Sequence, residues 1–403
     1  MKTRPFQHTI ALDEARAIIE RTVQPIARTE RLPLGEARDR VLAGTIVATA
    51  DVPPFSRAAM DGYALRADDT AGAGRATPRT LHCVEEIFTG QMPQRTLAAG
   101  ECAAVATGAP MPAGADAVVM VEETTADGTR ISVLANVQPR QNVGAQGADI
   151  RQGQTVLAEG ACLNASRIGA VAALGMTSID VYARPRVAIL STGNEIVEPG
   201  QPLAPGQLYD INRYTLAAVV EEHGGIAVPQ RTAADTIDEL SHAVEACLGE
   251  DVLVFSGGSS VGERDLILDV LAAKGEVLFH GIAVKPGKPT AFGCIGTTLV
   301  FGMPGYPTSC LSNAYILLAP ALRQLARLPA RLSRTVPMRL GARVASVAGR
   351  HQFYSVRIVD GTAMPAFKAS GDITSMSQAD GYIEIPADTE VVEAGSMVDV
   401  TMF

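Results

Sequence analysis

The sequence has few of the residues that mark specialised protein classes. Its 403 residues include no tryptophan and only 4% aromatic residues, and its six cysteines are scattered without a Cys-x-x-Cys pair. Such scattering is typical of free thiols in a reducing compartment rather than of a zinc site or a disulfide framework. We therefore expect buried free thiols.

Long apolar runs are also missing. The run AYILLAPAL at residues 314–322 contains Pro320 and falls well short of the roughly 20 residues that cross a bilayer. The charged N-terminus has no apolar stretch of the kind found in signal or transit peptides. These features predict a cytoplasmic protein with no membrane partner.

Positive charge is scarce as well. The formal net charge of -9 argues against a nucleic-acid partner, which requires a basic face. Only five of the 34 basic residues are lysines, and two of them, Lys285 and Lys288, lie within the short segment VKPGKPT. An anionic ligand would therefore be bound by local positive charge.

What the sequence does contain is a regular alternation of strand and helix patterns between residues 184 and 326. This alternation predicts an α/β domain with an open, mostly parallel sheet and helices on both faces. EVLFHGIAV is interpreted there as one strand, and a long helix is expected from about Pro307 to Leu325. Residues 78–140 and the chain beyond Pro329 show the alternating pattern of short strands, and Asp127-Gly128 predicts a tight hairpin turn.

Four glycine-containing turns follow strands of the predicted sheet. They read STGNE (191–195), SGGSSVGERD (256–265), KPGKPT (285–290) and MPGYPTS (303–309). Ligands of open α/β sheets bind beyond the carboxyl ends of the strands, where such turns and free helix N-termini meet. Each turn alone could be ordinary strand-to-helix turn chemistry, but together they predict a binding edge.

Charged residues flank these turns in a combination that packing alone does not require. The turn at 256–265 ends in Gly-Glu-Arg-Asp instead of the Gly-Lys-Ser/Thr of a phosphate-binding P-loop, which excludes that motif. Acidic Glu195, Glu263 and Asp265 beside Lys285 and Lys288 suit a phosphorylated ligand bound with Mg²⁺.

Simpler explanations remain open for some of the acidic residues. Glu263 and Asp265 could be stabilising acids in the first turn of a helix, and Asp235 could be a helix N-cap. Asp61 in AAMDGYALR has no obvious helix or hairpin role. None of the six histidines lies near a Gly-x-Ser-x-Gly sequence, so a serine hydrolase is disfavoured.

Taken together and in this order, seven segments resemble one family. They are PPFSRAAMDGYALR, TGAPMPAGADAVVMVEE, GADI, STGNEI, SGGSSVGERD, KPGKP and GMPGYPTS. The combination is similar to the molybdopterin molybdenumtransferases, the MoeA and gephyrin E-domain family of molybdenum cofactor biosynthesis, over roughly residues 10–385.

The resemblance implies a multidomain fold and a homodimer. The implied domains are an elongated N-terminal domain in two segments (1–52 and 141–183), a β-rich inserted domain (53–140), a MogA-like α/β domain (184–328) and a C-terminal β barrel (329–403). Further expected partners are the pterin substrate and, transiently, molybdopterin adenylyltransferase and molybdoenzyme maturation proteins.

The resemblance also implies a reaction and its residues. Molybdate would enter adenylylated molybdopterin while the phosphoanhydride is cleaved with Mg²⁺ and AMP leaves. The implied catalytic residues are Asp61, Glu195, Asp265 and Lys285, with Glu195 and Asp265 as metal ligands. The implied substrate-binding residues are Thr107, Asp149, Thr192, Gly193, Asp235, Gly257, Gly258, Ser259, Lys288, Pro304 and Gly305.

Two positions depart from relatives, and two alternatives remain. Some relatives have a lysine where this chain has Gly281 and an arginine where it has Ser355, so its anion affinity could differ. Molybdenum and tungsten are not distinguished. The alternatives are a molybdopterin adenylyltransferase, whose fold resembles only residues 184–326, and a non-catalytic gephyrin-like scaffold.

Overall fold

The computed structural model describes residues 9–230, 232–233, 236–257 and 266–403. Its contacts divide the chain into two compact units. One unit consists of residues 32–38 and 42–179, and the other contains the remaining described residues. We refer to these as the β-rich unit and the α/β unit.

Helices and strands are numbered in chain order. Up to residue 182 they are α1 (Leu12–Thr22), β1 (Thr29–Pro33), β2 (Ile46–Val47), β3 (Arg57–Ala58), β4 (Gly62–Leu65), β5 (Arg79–Ile87), β6 (Glu101–Val105), β7 (Ala117–Met120), β8 (Thr124–Asp127), β9 (Arg130–Val133), β10 (Val143–Gly144), β11 (Thr155–Leu157), α2 (Ala165–Ala173) and β12 (Ser178–Tyr182). Next come β13 (Arg186–Ser191), β14 (Ile196–Val197), β15 (Leu208–Tyr209), α3 (Asn212–Glu222), β16 (Ile226–Pro229), α4 (Ile237–Cys247), β17 (Val252–Ser256), α5 (Leu266–Lys274), β18 (Glu276–His280), β19 (Val284–Lys285), β20 (Ala291–Ile295), β21 (Thr298–Met303), α6 (Pro307–Asn313) and α7 (Ala319–Leu325). The last are β22 (Thr335–Leu340), β23 (Val344–Ala345), β24 (His351–Val359), β25 (Thr362–Pro365), α8 (Thr374–Ser377), β26 (Gly381–Ile385), β27 (Val391–Val392) and β28 (Met397–Met402).

The centre of the α/β unit is a sheet that, in the described residues, has the order β16-β13-β17-β21-β20-β18. Strands β16, β13, β17 and β21 are parallel neighbours. Strand β20 is antiparallel to both β21 and β18, so β18 runs in the same direction as β21. The predicted open, mostly parallel sheet is confirmed.

Helices cover both faces of this sheet because successive side chains of its strands point to opposite sides. Val187 and Ile189 of β13 belong to one buried cluster with apolar residues of α1, α3, α6 and α7. Ala188 and Leu190 belong to a second cluster with α4 and α5. The prediction of helices on both faces is therefore also confirmed.

One strand prediction was wrong and one strand was not predicted. EVLFHGIAV does not form a single strand, because β18 ends at His280 and Val284–Lys285 pairs instead with β24 of the C-terminal region. Strand β20 contains Gly293, where a Cβ would overlap the carbonyl oxygen of Glu276 on the neighbouring strand. The glycine that looks like a turn signal in the sequence is needed for close strand pairing.

The predicted long helix from Pro307 to Leu325 is present, but a π-helical segment, Ala314–Leu318, separates α6 from α7. Pro320 is the second residue of α7, and proline has no backbone N–H to donate to the helix. Prolines and π-helical turns are both known causes of local irregularity in a helix.

The C-terminal region forms a closed barrel. Strands β24, β25, β22, β28 and β26 pair in that order, and β26 pairs back to β24. The barrel encloses a buried apolar cluster that includes Leu340, Val356 and Ile383. This confirms the expected C-terminal β barrel.

The β-rich unit contains a sheet of order β7-β4-β6-β5-β9-β8. Strands β8 and β9 form the predicted hairpin, in which Asp127 pairs with Arg130 and Gly128 has a positive φ of 60°. All six cysteines are free thiols, as predicted, but only Cys102, Cys247 and Cys310 are buried, so the prediction of burial was wrong for the other three. Within the described ranges, none of the helices combines the length and apolar character needed to cross a membrane.

Candidate functional site

The four glycine-containing turns start or end at the same edge of the α/β sheet. STGNE follows β13, Gly257 follows β17, KPGKPT lies between the end of β18 and the start of β20, and MPGYPTS follows β21. Because β18 runs with β13, β17 and β21, all four positions correspond to the carboxyl edge. The predicted convergence is confirmed for the described residues.

Three of these turns are in direct contact. Gly257 has a φ of 104°, and a Cβ on it would overlap the carbonyl oxygen of Thr192. A Cβ on Gly305 would lie 3.4 Å from the Cα of Gly257. Beneath them, the buried hydroxyls of Ser191 and Ser256 are 3.3 Å apart. Glycine is therefore required at position 257, where the backbones approach, whereas a Cβ at position 305 would make an ordinary van der Waals contact.

Glu195 presents its carboxylate at the first turn. Gly193 has a φ of 139°, and a Cβ on it would be 2.8 Å from Oε1 and 2.9 Å from Oε2 of Glu195. The side chain of Glu195 is exposed. An exposed carboxylate against a bare backbone suits a Mg²⁺ ion held mainly by substrate phosphates, since such sites use one or two protein carboxylates.

The two lysines lie on a turn whose backbone is held by buried hydrogen bonds. Lys285 and Lys288 are both half-buried. Between them, Gly287 has a φ of 103°, and its carbonyl oxygen accepts hydrogen bonds from Asn313 Nδ2 (2.8 Å) and Thr290 Oγ1 (2.9 Å). Asn313 Nδ2 also donates to Thr290 Oγ1 at 2.5 Å. This buried network sets the position of both lysine backbones.

Sequence reasoning missed Asn313, Asp210 and Asn212. Asn212 Nδ2 donates to the carbonyl oxygen of Gly305 at 2.8 Å, and Asp210 Oδ1 accepts from the backbone N–H of Arg213 at 3.0 Å. An Asp-x-Asn sequence before a helix is typical of a helix cap, so nothing in the sequence indicated that Asn212 also binds the fourth turn. For Asn313, the available signal was a polar residue inside an apolar helix.

Asp61 and Thr107 lie together in the β-rich unit. Asp61 Oδ1 accepts hydrogen bonds from the backbone N–H (2.6 Å) and the hydroxyl (2.9 Å) of Thr107. The hydrogen bond from the backbone N–H contributes most, and together the two bonds hold the pKa of Asp61 below its ordinary value although the residue is exposed. Exposed Asp149 is attached through its backbone N–H to the carbonyl oxygen of Val52 at 3.1 Å.

Gly62 explains why this strand carries a Met-Asp-Gly-Tyr sequence. A Cβ at Gly62 would overlap the carbonyl oxygen of Val119 on the paired strand β7. The glycine therefore allows β4 to lie between β6 and β7, directly after the exposed Asp61.

Several predicted residues lie outside the described residues. These are Asp235, Gly258, Ser259, Glu263 and Asp265. Thr236 caps α4 by accepting from the backbone N–H of Glu239 at 3.3 Å. Across the described ranges, no group of three or more His, Cys, Asp or Glu side chains could hold a metal ion. Pro304 is buried next to Gly305 in the fourth turn.

The two positions that depart from relatives are both buried. Gly281 has a φ of 91° and its carbonyl oxygen accepts from the backbone N–H of Ile10. Ser355 is 5% exposed and lines a cavity of about 20 Å³ together with Thr308 and Ser312. A cavity of this volume has room for water.

Three family models match successive parts of the chain. The MoeA N-terminal region (domains I and II) matches residues 10–175, a probable molybdopterin-binding domain matches residues 188–324, and the MoeA C-terminal region (domain IV) matches residues 337–403. The second match contains all four turns at the sheet edge.

Whole-chain relatives agree with these matches. A molybdopterin molybdenumtransferase 2 of Mycobacterium tuberculosis is 33% identical over 92% of this chain and 94% of its own length. A molybdopterin molybdenumtransferase of Haemophilus influenzae is 32% identical over 98% of each chain. The crystal structure of a MoeA protein from Pyrococcus horikosii superposes with a TM-score of 0.87 at 38% identity, covering 98% of this chain and 99% of the other.

The fold and the sheet-edge site define a multidomain protein of molybdenum cofactor biosynthesis, built around a MogA-like α/β domain and ending in a β barrel. The chain belongs to the MoeA family, the molybdopterin molybdenumtransferases.

Proposed function

We propose that the protein inserts molybdate into adenylylated molybdopterin, with Mg²⁺-dependent cleavage of the phosphoanhydride and release of AMP. The observation that carries the proposal is the sheet edge on which Glu195 and the lysine pair Lys285 and Lys288 are held by glycine-containing turns. Such a site combines ammonium groups for anionic oxygens with a carboxylate for a divalent cation.

Lys285 and Lys288 bind the anionic oxygens of the pterin phosphate or of molybdate. Their half-buried positions strengthen electrostatic attraction relative to a fully solvated surface. Backbone groups of Thr192, Gly193, Gly257, Pro304 and Gly305 bind the rest of the substrate, together with Gly258, Ser259 and Asp235.

Glu195 and Asp265 would hold Mg²⁺, which would neutralise charge on the phosphoanhydride. We assign Asp61 a catalytic role, and Thr107 and Asp149 a role in substrate binding. The bonds from Thr107 keep Asp61 ionised, so it presents a fixed negative charge at neutral pH. Catalysis then rests on positioning and electrostatics and needs no protein nucleophile.

The same proposal covers the organisation of the protein. It works in the cytoplasm as a homodimer with the domains 1–52 with 141–183, 53–140, 184–328 and 329–403. It receives its substrate from a molybdopterin adenylyltransferase and delivers its product to molybdoenzyme maturation proteins.

The proposal is tested with purified protein, adenylylated molybdopterin, molybdate and Mg²⁺, by following AMP. AMP release should require molybdate and Mg²⁺ and should fall in Asp265→Ala. ATP-dependent adenylylation of molybdopterin without molybdate would identify an adenylyltransferase instead. Absence of AMP release by the wild-type protein, with retained pterin binding, would identify a scaffold.

A further inference from the structure

The sheet edge contains buried hydrogen-bond acceptors that have no donor. Asp210 and Asn212 are only 5% and 7% exposed, yet Asp210 Oδ2 and Asn212 Oδ1 have no hydrogen-bond partner among the described residues. The hydroxyl oxygen of Thr192, 3% exposed, is also without a partner there. Buried polar atoms are normally paired, so these oxygens indicate a missing donor.

These acceptors are tied to the turns of the site from two sides. Strand β15 pairs with β14, so that the backbone N–H of Leu208 donates to the carbonyl oxygen of Glu195 at 2.8 Å and that of Asp210 donates to Val197 at 2.9 Å. Asn212 Nδ2 donates to Gly305. The segment therefore lies between the first and fourth turns.

Helix capping accounts for only part of this arrangement. Asp210 Oδ1 caps α3 by accepting from Arg213, which leaves Oδ2 unexplained. The charge of Asp210 is also felt by a buried neighbour: burial raises the pKa of the Cys310 thiol, and the negative charge of Asp210 raises it further. A second negative group would be repelled here, so an oxyanion is not the missing partner.

The required ligand group carries adjacent N–H donors and no negative charge. The pyrimidinone edge of a pterin has this character, since an exocyclic amino group stands beside a ring N–H. We propose that Asp210 and Asn212 bind this edge and so determine specificity for the pterin, an inference that rests on the proposed function. The lysines bind the anionic end of the same substrate.

Asp210→Asn tests this assignment because asparagine keeps the shape and the helix cap but replaces one carboxylate oxygen by an amide that donates. Affinity for molybdopterin and, separately, for AMP is measured by fluorescence titration in EDTA. The matched control is Asn164→Asp, the reverse change at the cap of α2, where Asn164 Oδ1 accepts from Arg167 at 3.0 Å.

We expect Asp210→Asn to weaken molybdopterin binding about ten- to hundredfold, the effect of losing a hydrogen bond to a charged group. AMP binding should change less than about threefold, and Asn164→Asp should leave both affinities unchanged. Unchanged molybdopterin affinity in Asp210→Asn would overturn the assignment, as would equal losses for both ligands. A loss seen only when Mg²⁺ replaces EDTA would also overturn it, because the oxygen would then bind the cation.

The wild-type titration separates the two claims. If wild type binds molybdopterin and releases AMP with molybdate but Asp210→Asn binds as tightly, only the pterin contact is refuted. If the wild-type protein does not bind molybdopterin, the proposed function is refuted, and the proposed pterin contact is refuted with it.

Discussion

Gly287→Ala is the substitution that should disturb the lysine turn most directly. The new Cβ would overlap Asn313 Nδ2 and lie 2.6 Å from its Cγ and 2.7 Å from its Oδ1. The φ of 103° adds a backbone cost of about 1 kcal/mol for a residue with a side chain. Because Asn313 is fully buried, we expect the turn to move away from it and to carry Lys285 and Lys288 with it.

A displacement of about 1 Å at a positioning group can cost about a hundredfold in rate. We therefore expect molybdate-dependent AMP release to fall about a hundredfold in Gly287→Ala, with a loss of about 2 kcal/mol or more in the free energy of unfolding. AMP is followed by chromatography, and stability by denaturant unfolding monitored by circular dichroism.

Gly296→Ala supplies the matched control. Gly296 lies in the turn between β20 and β21 and has a φ of 58°, and a Cβ added to it would meet no described atom within 4 Å beyond its chain neighbours. The variant should lose about 1 kcal/mol of stability and keep its activity. Wild-type activity in Gly287→Ala, or an equal loss in Gly296→Ala, would refute the positional argument.

Three further predictions concern charges. Asp251→Ala should destabilise the protein by about 2 kcal/mol in denaturant unfolding, because Asp251 accepts from Arg28 at 2.6 and 2.8 Å and from the backbone of Arg186 at 2.8 Å. Burial raises the pKa of Asp251, but these hydrogen bonds lower it by more, so the net pKa is below its ordinary value. The loss of stability in Asp251→Ala should therefore be complete above about pH 4 and shrink in acid; a loss that does not change with pH would contradict this. Burial lowers the pKa of His223 below its ordinary value, so the melting temperature should fall as the pH drops below about 6.5. His223→Phe should make this fall less steep. The same dependence of melting temperature on pH in His223→Phe would exclude His223 as its cause. Asp61→Asn should lower AMP release about a hundredfold and change stability by no more than about 0.5 kcal/mol. Asp51→Asn, which alters a half-buried carboxylate that is also held by hydrogen bonds, should remain active; equal activities would remove Asp61 from the site.

The sheet and its binding edge could be predicted because they depend on local signals. Strand-helix alternation and glycine after each strand are readable in single segments, and Gly257 and Gly305 do meet at the edge. The route of Val284–Lys285 could not be read, because its partner strand β24 lies more than 60 residues later in the chain. Strand β20 could not be predicted for a related reason: Gly293 looks like a turn residue, but it is needed because the carbonyl oxygen of Glu276 on the neighbouring strand approaches it closely.

The side chains that shape the site were harder to predict than those with obvious chemistry. Lys285, Lys288 and Glu195 stand out by charge and position. Asn313 acts through hydrogen bonds to a turn 26 residues earlier, and Asn212 through a bond to Gly305, 93 residues later. Such tertiary partners leave no periodic pattern in the sequence.

Neutralising Lys285 and Lys288 together is the decisive experiment for the proposed anion-binding role of the sheet edge. The measurement is molybdate-dependent AMP release by Lys285→Gln/Lys288→Gln, compared with wild type and with Lys274→Gln at the C-terminal end of α5, where Lys274 pairs with Glu245 at the protein surface. We expect AMP release to fall at least about a hundredfold in the double variant and to stay at the wild-type level in Lys274→Gln. Wild-type release by the double variant would contradict that role.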